Sequence, residues 1–424
     1  MPLKNVDNFL RDLFNKAVAS ADPGEIISPF LPAPPKGRTI VLGAGKASAA
    51  MAAAVEKEWN GPLEGLVVTR YDHAVPCDHI EIVEAAHPVP DQAGLDVSER
   101  IYEHAASAGP EDLVLCLISG GGSSLLTRPA SSISFKEKRE INQFLLRCGA
   151  NIAEMNCVRK HLSGIKGGRL ALAAAPAKVV TLLISDVPGD DPSVIASGPT
   201  VPDTTTREEA LEILRRYGAT LPASVQQWLS SEQAETPSHD HPVFEGLDVR
   251  MIATPQQALK AAADEASKRD IDVHILGDAI EGEAREVAVD QASFTQKIRN
   301  SSELYEKDFI LLSGGETTVT LKGRGRGGRN VEFLLALAIA LDGACDVWAL
   351  AADTDGVDGI EEIAGAIISP NTLARAQAMG LNPQAMLDDN DAHSFFEALG
   401  DQIITGPTLT NVNDFRAIYI GSQT

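Results

Sequence analysis

Three glycine-rich turns stand where runs of buried-strand residues end. Ser119-Gly120-Gly121-Gly122-Ser123-Ser124 follows the apolar run Leu113–Ile118, and Ser313-Gly314-Gly315-Glu316-Thr317 follows a run ending at Leu312. Gly43-Ala44-Gly45-Lys46 places a lysine where a helix is expected to start. Glycine lets the backbone come close to an anion, and a following helix N-terminus adds free N–H groups and a positive dipole. One such turn is explained equally well by a need for positive φ. Three at strand ends point to a bound oxyanion such as phosphate. Gly45-Lys46 is not a P-loop, because Ile40 and Ala47 stand where that motif needs glycine and a hydroxyl residue. It is also an incomplete dinucleotide fingerprint, with Ser48 in place of the third glycine. The next strand ends in Thr69-Arg70 rather than in an acid, which weakens NAD but suits a 2′-phosphate.

Lys322-Gly323-Arg324-Gly325-Arg326-Gly327-Gly328-Arg329 concentrates four cations in eight residues of a chain with formal charge −23. Guanidinium forks match phosphate and carboxylate oxygens bidentately, so Arg326 and Arg329 are expected to bind anions. A solvated hairpin is the plainer alternative, and it leaves the concentration of charge unexplained. Phosphate sites commonly pair with carboxylates that hold Mg²⁺. Ser185-Asp186-Val187-Pro188-Gly189-Asp190-Asp191 and Asp353-Thr354-Asp355-Gly356-Val357-Asp358-Gly359 both follow buried strands. Asp190, Asp353 and Asp355 are the candidate metal ligands, although Asp-Gly pairs are also ordinary turn formers. The second cluster is not an EF-hand: its glycine is misplaced and Ala364 stands at the twelfth position. Arg159-Lys160-His161, with Lys166 and Arg169 after it, is another compact basic run, whose plainer reading is an exposed helical face. No G-x-S-x-G elbow occurs, and the histidines lack metal-ligand spacing.

The elements that must position these residues alternate strand and helix. Apolar runs at Thr39–Leu42, Leu66–Thr69, Ile80–Glu84, Leu113–Ile118 and Val179–Ile184 read as buried strands. After residue 248 the pattern resumes with Val249–Ala253, Val273–Leu276, Phe309–Leu312 and Val347–Leu350. Ser134 with Glu137, and Thr206 with Glu209, form capping boxes that start helices. A first helix carries Phe9, Leu10, Leu13 and Phe14 on one face. The polar stretch 232–245 reads as a linker. These signals predict an α/β protein of two Rossmann-like α/β/α domains, 1–235 and 236–424, with largely parallel sheets. Excess negative charge argues against nucleic acid and anionic membranes as partners. Five scattered cysteines, no signal-peptide pattern and no apolar run of ~20 residues make a cytoplasmic location the expectation.

Taken in order, these strings resemble the class II glycerate kinases, the MOFRL family, whose members are also known as hydroxypyruvate reductases. The matching text is Val41–Ser48, Ser119–Ser123, Arg159–Ser163 with Lys166–Ala171, Ser185–Val187 and Ser197–Thr200. It continues through Ser313–Glu316, Gly327–Asn330, Asp353–Gly359 and Thr410–Asp414, while residues 220–305 carry little of it. The resemblance implies ATP-dependent phosphorylation of D-glycerate at its 2-hydroxyl, in a cleft between two α/β domains. It implies Lys46 and Arg329 as phosphate- and substrate-binding cations and Asp186 as a polar active-site residue. The loop Ser119, Gly120, Gly121, Gly122, Ser123 would cradle nucleotide phosphates, with Gly314 and Gly315 contributing. ATP, Mg²⁺ and glycerate are the expected ligands, and the oligomeric state is left open, a homodimer being one arrangement. Two other functions fit the same residues: an NADPH-dependent hydroxypyruvate reductase and a non-catalytic sugar-acid-binding protein.

Overall fold

The computed structural model describes residues 5–301 and 307–422. The chain forms two compact units, Pro23–Ile252 and a second made of Met1–Asp22 with Ala253–Thr424.

In the Pro23–Ile252 unit the strands are β1 (Thr39–Ala44), β2 (Glu64–Arg70), β3 (Ile80–Ala85), β4 (Leu113–Ile118), β5 (Lys178–Ile184) and β6 (Asp248–Ala253). They lie in one sheet in the order β3-β2-β1-β4-β5-β6, and β1 to β5 pair in parallel. Every residue of β1 and β4 is buried, as a parallel sheet covered on both faces requires. The chain winds one way from β1 through β2 to β3 and the other way from β4 to β5. That reversal makes the crevice between the ends of β1 and β4 a topological switch point. Ala44 pairs with Ile118, so the turns beginning at Gly45 and Ser119 leave the sheet side by side.

Both expected capping boxes form, at Ser134/Glu137 for helix Phe135–Cys148 and Thr206/Glu209 for helix Arg207–Arg216. Asn151 and Glu154 make a third, starting helix Ile152–His161. Each supplies acceptors to N–H groups that a helix start leaves unbonded. The stretch 232–245 is not a free linker: Arg169 donates to the carbonyls of Gln233, Ala234 and Glu235, and Thr236 and Phe244 are buried.

In the second unit the strands are β7 (Asp272–Gly277), β8 (Gly282–Glu283), β9 (Phe309–Gly315), β10 (Thr317–Thr318), β11 (Val347–Asp353), β12 (Gly365–Ile368), β13 (Gln402–Ile403) and β14 (Asp414–Ile420). Its main sheet runs β13-β12-β11-β14-β9-β7, and β8 with β10 forms a separate two-stranded ladder. The expectation of a largely parallel sheet fails here. Only β7 with β9 is parallel, and the other four pairings are antiparallel. Two of these arise because β14 inserts between β9 and β11, and the other two because β12 and β13 add antiparallel beyond β11. Helix Val6–Ala19 belongs to this unit, with Phe9 set edge-on to Tyr419 at 6.2 Å and Phe14 5.9 Å from Phe415. Burying each such ring contributes about 1.5–3 kcal/mol, which explains why the first helix joins the last strand. Among the described residues, no helix is long and apolar enough to cross a membrane.

Candidate functional site

At the switch point the β1 and β4 turns are laced together. The Lys46 N–H donates to the Gly120 carbonyl at 2.8 Å, the Ala47 N–H to Ser119 Oγ at 3.0 Å, and the Ser48 hydroxyl to the Leu117 carbonyl at 2.9 Å. Gly45, at φ 145°, has Ser119 Oγ 2.1 Å from where a Cβ would stand. The amides leading into helix Ser48–Glu58 are therefore occupied by protein acceptors, and a dinucleotide pyrophosphate has no place on them. Ser119 is fully buried in this lacing, so it shapes the loop instead of facing a ligand.

Lys46, Asp186 and His87 converge on the glycines. A Cβ on Gly120 would lie 1.8 Å from Asp186 Oδ2, and one on Gly121 would lie 3.0 Å from the His87 ring and 3.3 Å from Lys46 Cγ. Ser123 Oγ shares a hydrogen bond of 2.8 Å with Ser197, which holds φ 60° beside Ala196 at φ 51°. Two consecutive non-glycine residues at positive φ are costly and tend to occur where a site must be held in shape. The helix expected after the loop is a single turn, Gly122–Leu125. Its dipole is accordingly small. Anion binding at this loop must come from cations.

The cations are present, in the basic run Arg159–Lys166 together with Lys138, which the sequence did not single out. Arg159-Lys160-His161 is not an exposed face: Lys160 and His161 are buried and Arg159 is half-buried. Lys160 pairs with Asp203 at 3.0 Å, and His161 Nδ1 lies 2.9 Å from the Cys157 carbonyl. Arg159 instead joins Lys138 and Lys166 around a cavity of about 240 Å³ that also touches His87, Gly121 and Ser123. Among the described residues no Asp or Glu lines it. Burial, with Arg159 and Arg128 nearby, pushes the Lys138 ammonium down to about 7. Burial, then Lys138 and Arg159, hold Lys166 well below the ordinary lysine range. The available signal was a cluster of bases in an acidic chain, but Lys138 lies on a different helix from Arg159, so spacing could not join them.

In the second unit Arg329 opens helix Arg329–Leu341, as expected from its place at the end of the glycine loop. Its Nε donates to both oxygens of Asp414 at 2.9 and 3.0 Å, and Nη2 donates to Asp353. Asp414 also accepts from Asn330 Nδ2 at 2.8 Å and from the fully buried Arg416 at 2.6 Å. These acids hold the Arg329 guanidinium well above its usual range despite burial. Asp358 caps the same helix through the N–H groups of Asn330 and Val331, at 3.1 and 2.9 Å.

Several expected ligands are committed to such contacts. Asp353 Oδ1 accepts the Asp355 N–H at 3.0 Å, and Asp355 Oδ1 accepts the Val357 N–H at 2.9 Å. Among the described residues no group of three or more His, Cys, Asp or Glu is arranged to hold a metal. Asp353 and Asp355 are thus turn and Arg329 partners. Asp190 differs: its Oδ1 is buried without a hydrogen-bond partner, so it retains capacity for a cation. Gly314 and Gly315 lie within β9, and a Cβ on Gly315 would meet the Ile280 nitrogen at 2.2 Å. They permit close backbone packing and form no open cradle. Arg326 is half-exposed and already engages Glu361 at 2.7 Å and Glu397 at 3.3 Å. The basic loop is not free to wrap a ligand either. Gly323 and Gly325 pack on the backbone of Asp389 and Asp391, leaving no room for a Cβ.

The family described as "Domain of unknown function (DUF4147)" matches residues 9–230, and the MOFRL family matches 309–414. The D-glycerate 2-kinase of Thermotoga maritima is 39% identical over 405 residues, covering 95% of each chain. The chain belongs to the DUF4147/MOFRL glycerate kinase family. The crystal structure of a Thermotoga maritima glycerate kinase has the fold of this family member, with TM-score 0.90, 37% identity, and coverage of 99% of this chain and 100% of that one. An Agrobacterium vitis relative named "Putative hydroxypyruvate reductase" is 53% identical over 97% of this glycerate kinase family chain and 94% of its own. Residues 231–308 fall outside both family matches, as the weak resemblance there led one to expect.

Proposed function

We propose that this glycerate kinase family member transfers the terminal phosphoryl group of ATP to the 2-hydroxyl of D-glycerate. The observation that carries the reading is the convergence of Lys46 and Asp186 on Gly120 and Gly121 at the switch point. A cation and a carboxylate brought to one glycine loop are what phosphoryl transfer needs: charge neutralisation on one side, orientation of a hydroxyl on the other. Lys46 faces the charge that builds on the transferring oxygens. Asp186 orients the attacking hydroxyl and accepts its proton. In the second unit, Arg329 is held by Asp353 and Asp414 and is proposed as an anion-binding guanidinium in its own right. Mg²⁺, when bound, offsets phosphate charge, and the unpartnered Asp190 oxygen is the protein ligand that fits it.

The reductase reading has the name of the 53%-identical relative in its favour. Against it stand the occupied amides of Lys46 and Ala47, where a nicotinamide dinucleotide would place its pyrophosphate. Two assays separate the readings. Protein with D-glycerate, ATP and Mg²⁺ should release ADP and yield acid phosphorylated at the 2-position. Protein with hydroxypyruvate and NADPH should leave the nicotinamide absorbance unchanged, and its loss without ADP release in the first assay would reverse the assignment.

A further inference from the structure

We propose that Lys138, Arg159 and Lys166 form a phosphate-binding subsite beside the Ser119–Ser124 loop. Three separate pieces of chain supply it: helix Phe135–Cys148, helix Ile152–His161 and the turn that follows. Lys138 and Lys166 are 3% and 2% exposed, so neither charge is dissipated in bulk water. Their protein contacts are neutral. Lys138 Nζ donates to the Arg128 carbonyl at 3.2 Å, Lys166 Nζ donates to the Ser123 carbonyl, and an Arg159 nitrogen lies 4.0 Å from Met155 Sδ.

Three other buried or half-buried cations of the chain are paired with acids. Lys160 has Asp203, and Arg329 and Arg416 have Asp414. In a chain with 59 acidic residues, the lack of any among the described residues lining this cavity is a specific feature. Burying uncompensated charge is expensive, and a bound anion removes the cost. A carboxylate carries one negative charge against four lysine and arginine side chains, Arg139 lining the cavity as well. A phosphate group carries about −1.5 to −2, and a polyphosphate more, which is the better match. Lysines and a guanidinium are also the side chains that recognise phosphate oxygens. The occupant is therefore a phosphate group, belonging either to the nucleotide or to the phosphorylated acid. That choice of sources rests on the kinase reading, whereas the subsite itself does not.

Calorimetric titration of the full chain with tripolyphosphate, ADP and 2-phosphoglycerate tests it, comparing wild type with Arg159→Met and Lys138→Met. Loss of a charged hydrogen bond should weaken tripolyphosphate binding about tenfold or more. Weaker ADP binding with unchanged 2-phosphoglycerate binding would assign the nucleotide as the source, and the reverse result the phosphorylated acid. A purely structural role predicts a lower Tm for Arg159→Met. Relief of repulsion predicts a Tm equal to or above wild type in anion-free buffer, and this readout stands even where affinities are hard to measure. Wild-type affinity for all three ligands retained in both variants would overturn the subsite. If wild type releases no ADP yet binds tripolyphosphate in an Arg159-dependent way, the kinase reading falls and the subsite remains.

Discussion

The Asp186 carboxylate fills the space that a side chain at position 120 would need, with Oδ2 1.8 Å from the would-be Cβ of Gly120. The absence of a side chain at 120 and the position of the acid are therefore one feature. Gly120→Ala should push Asp186 aside and lower kcat about 10²-fold, the scale of misplacing a reacting group. The Asp186→Ala change in the Gly120→Ala background should then add little. Full additivity of the two losses, measured by ADP release, would show that the contact does not position the carboxylate.

Lys46→Met removes the cation that flanks Gly121. Its backbone N–H still reaches Gly120, so the loop should keep its shape and Tm should shift little. If the ammonium meets charge that grows during transfer, kcat should fall about 10²-fold or more. Near-normal kcat would make Lys46 a bystander.

Arg329 and Arg324 provide a contrast in how a positive charge is held. Arg329→Lys retains charge, but one ammonium cannot span Asp414 and Asp353, so a buried carboxylate loses its partner. Breaking a buried pair costs about 3–5 kcal/mol when one partner is removed, and the lysine should recover part of it. Urea unfolding should show that loss together with a large drop in kcat/KM. The contact of Arg324 with Asp389 is made by its backbone N–H, so Arg324→Lys should change neither measurement appreciably.

Chelation tests the metal assignment. EDTA should abolish ADP release and excess Mg²⁺ should restore it, because the charge on the transferring phosphoryl group needs neutralisation beyond what the side-chain cations supply. Asp190→Asn keeps the shape of the side chain but halves its usefulness as a cation ligand. The concentration of Mg²⁺ giving half-maximal activity should rise several-fold, while Tm in metal-free buffer holds or increases, since Oδ1 has no protein partner to lose. An unchanged Mg²⁺ requirement would remove Asp190 from the site.

The depressed Lys138 makes a pH prediction with a definite sign. Its folded value of about 7 lies below the ordinary lysine value of 10.5, burial being the main cause, with Arg159 and Arg128 as the charged neighbours that add to it. Between those values the unfolded chain binds the extra proton, so stability rises with pH across this window. Below about pH 7 the full penalty of a buried ammonium applies. Without phosphate, Lys138→Met should therefore melt above wild type at about pH 6, and the gap should narrow by about pH 9. Saturating tripolyphosphate should close the gap at the lower pH by giving the ammonium a partner.

Local chemistry was legible in the sequence. Ser134/Glu137 and Thr206/Glu209 each act within one helical turn, so four residues suffice to recognise them. Buried parallel strands announce themselves as continuous apolar runs, and β1 to β5 appeared nearly where they were expected. The glycine turns at Gly45 and Gly120 were also visible, together with Lys46, Asp186 and the place of Arg329 at a helix start. Strand direction was not legible, because β14 has the same apolar run whichever way its neighbours point, and the antiparallel pairings of β14 with β9 and β11, and of β12 with β11 and β13, are what make the second sheet mixed. Nor could the sequence tell a cation with a partner from one without. Arg329 meets Asp353 and Asp414 through contacts 24 and 85 residues away along the chain. Arg159, in an equally basic stretch, is folded against Lys138 and Lys166 with no acid beside it. Whether a charge is neutralised depends on what the tertiary structure brings within a few ångströms, because Coulomb interactions are strong over that distance in a buried site and weak beyond it.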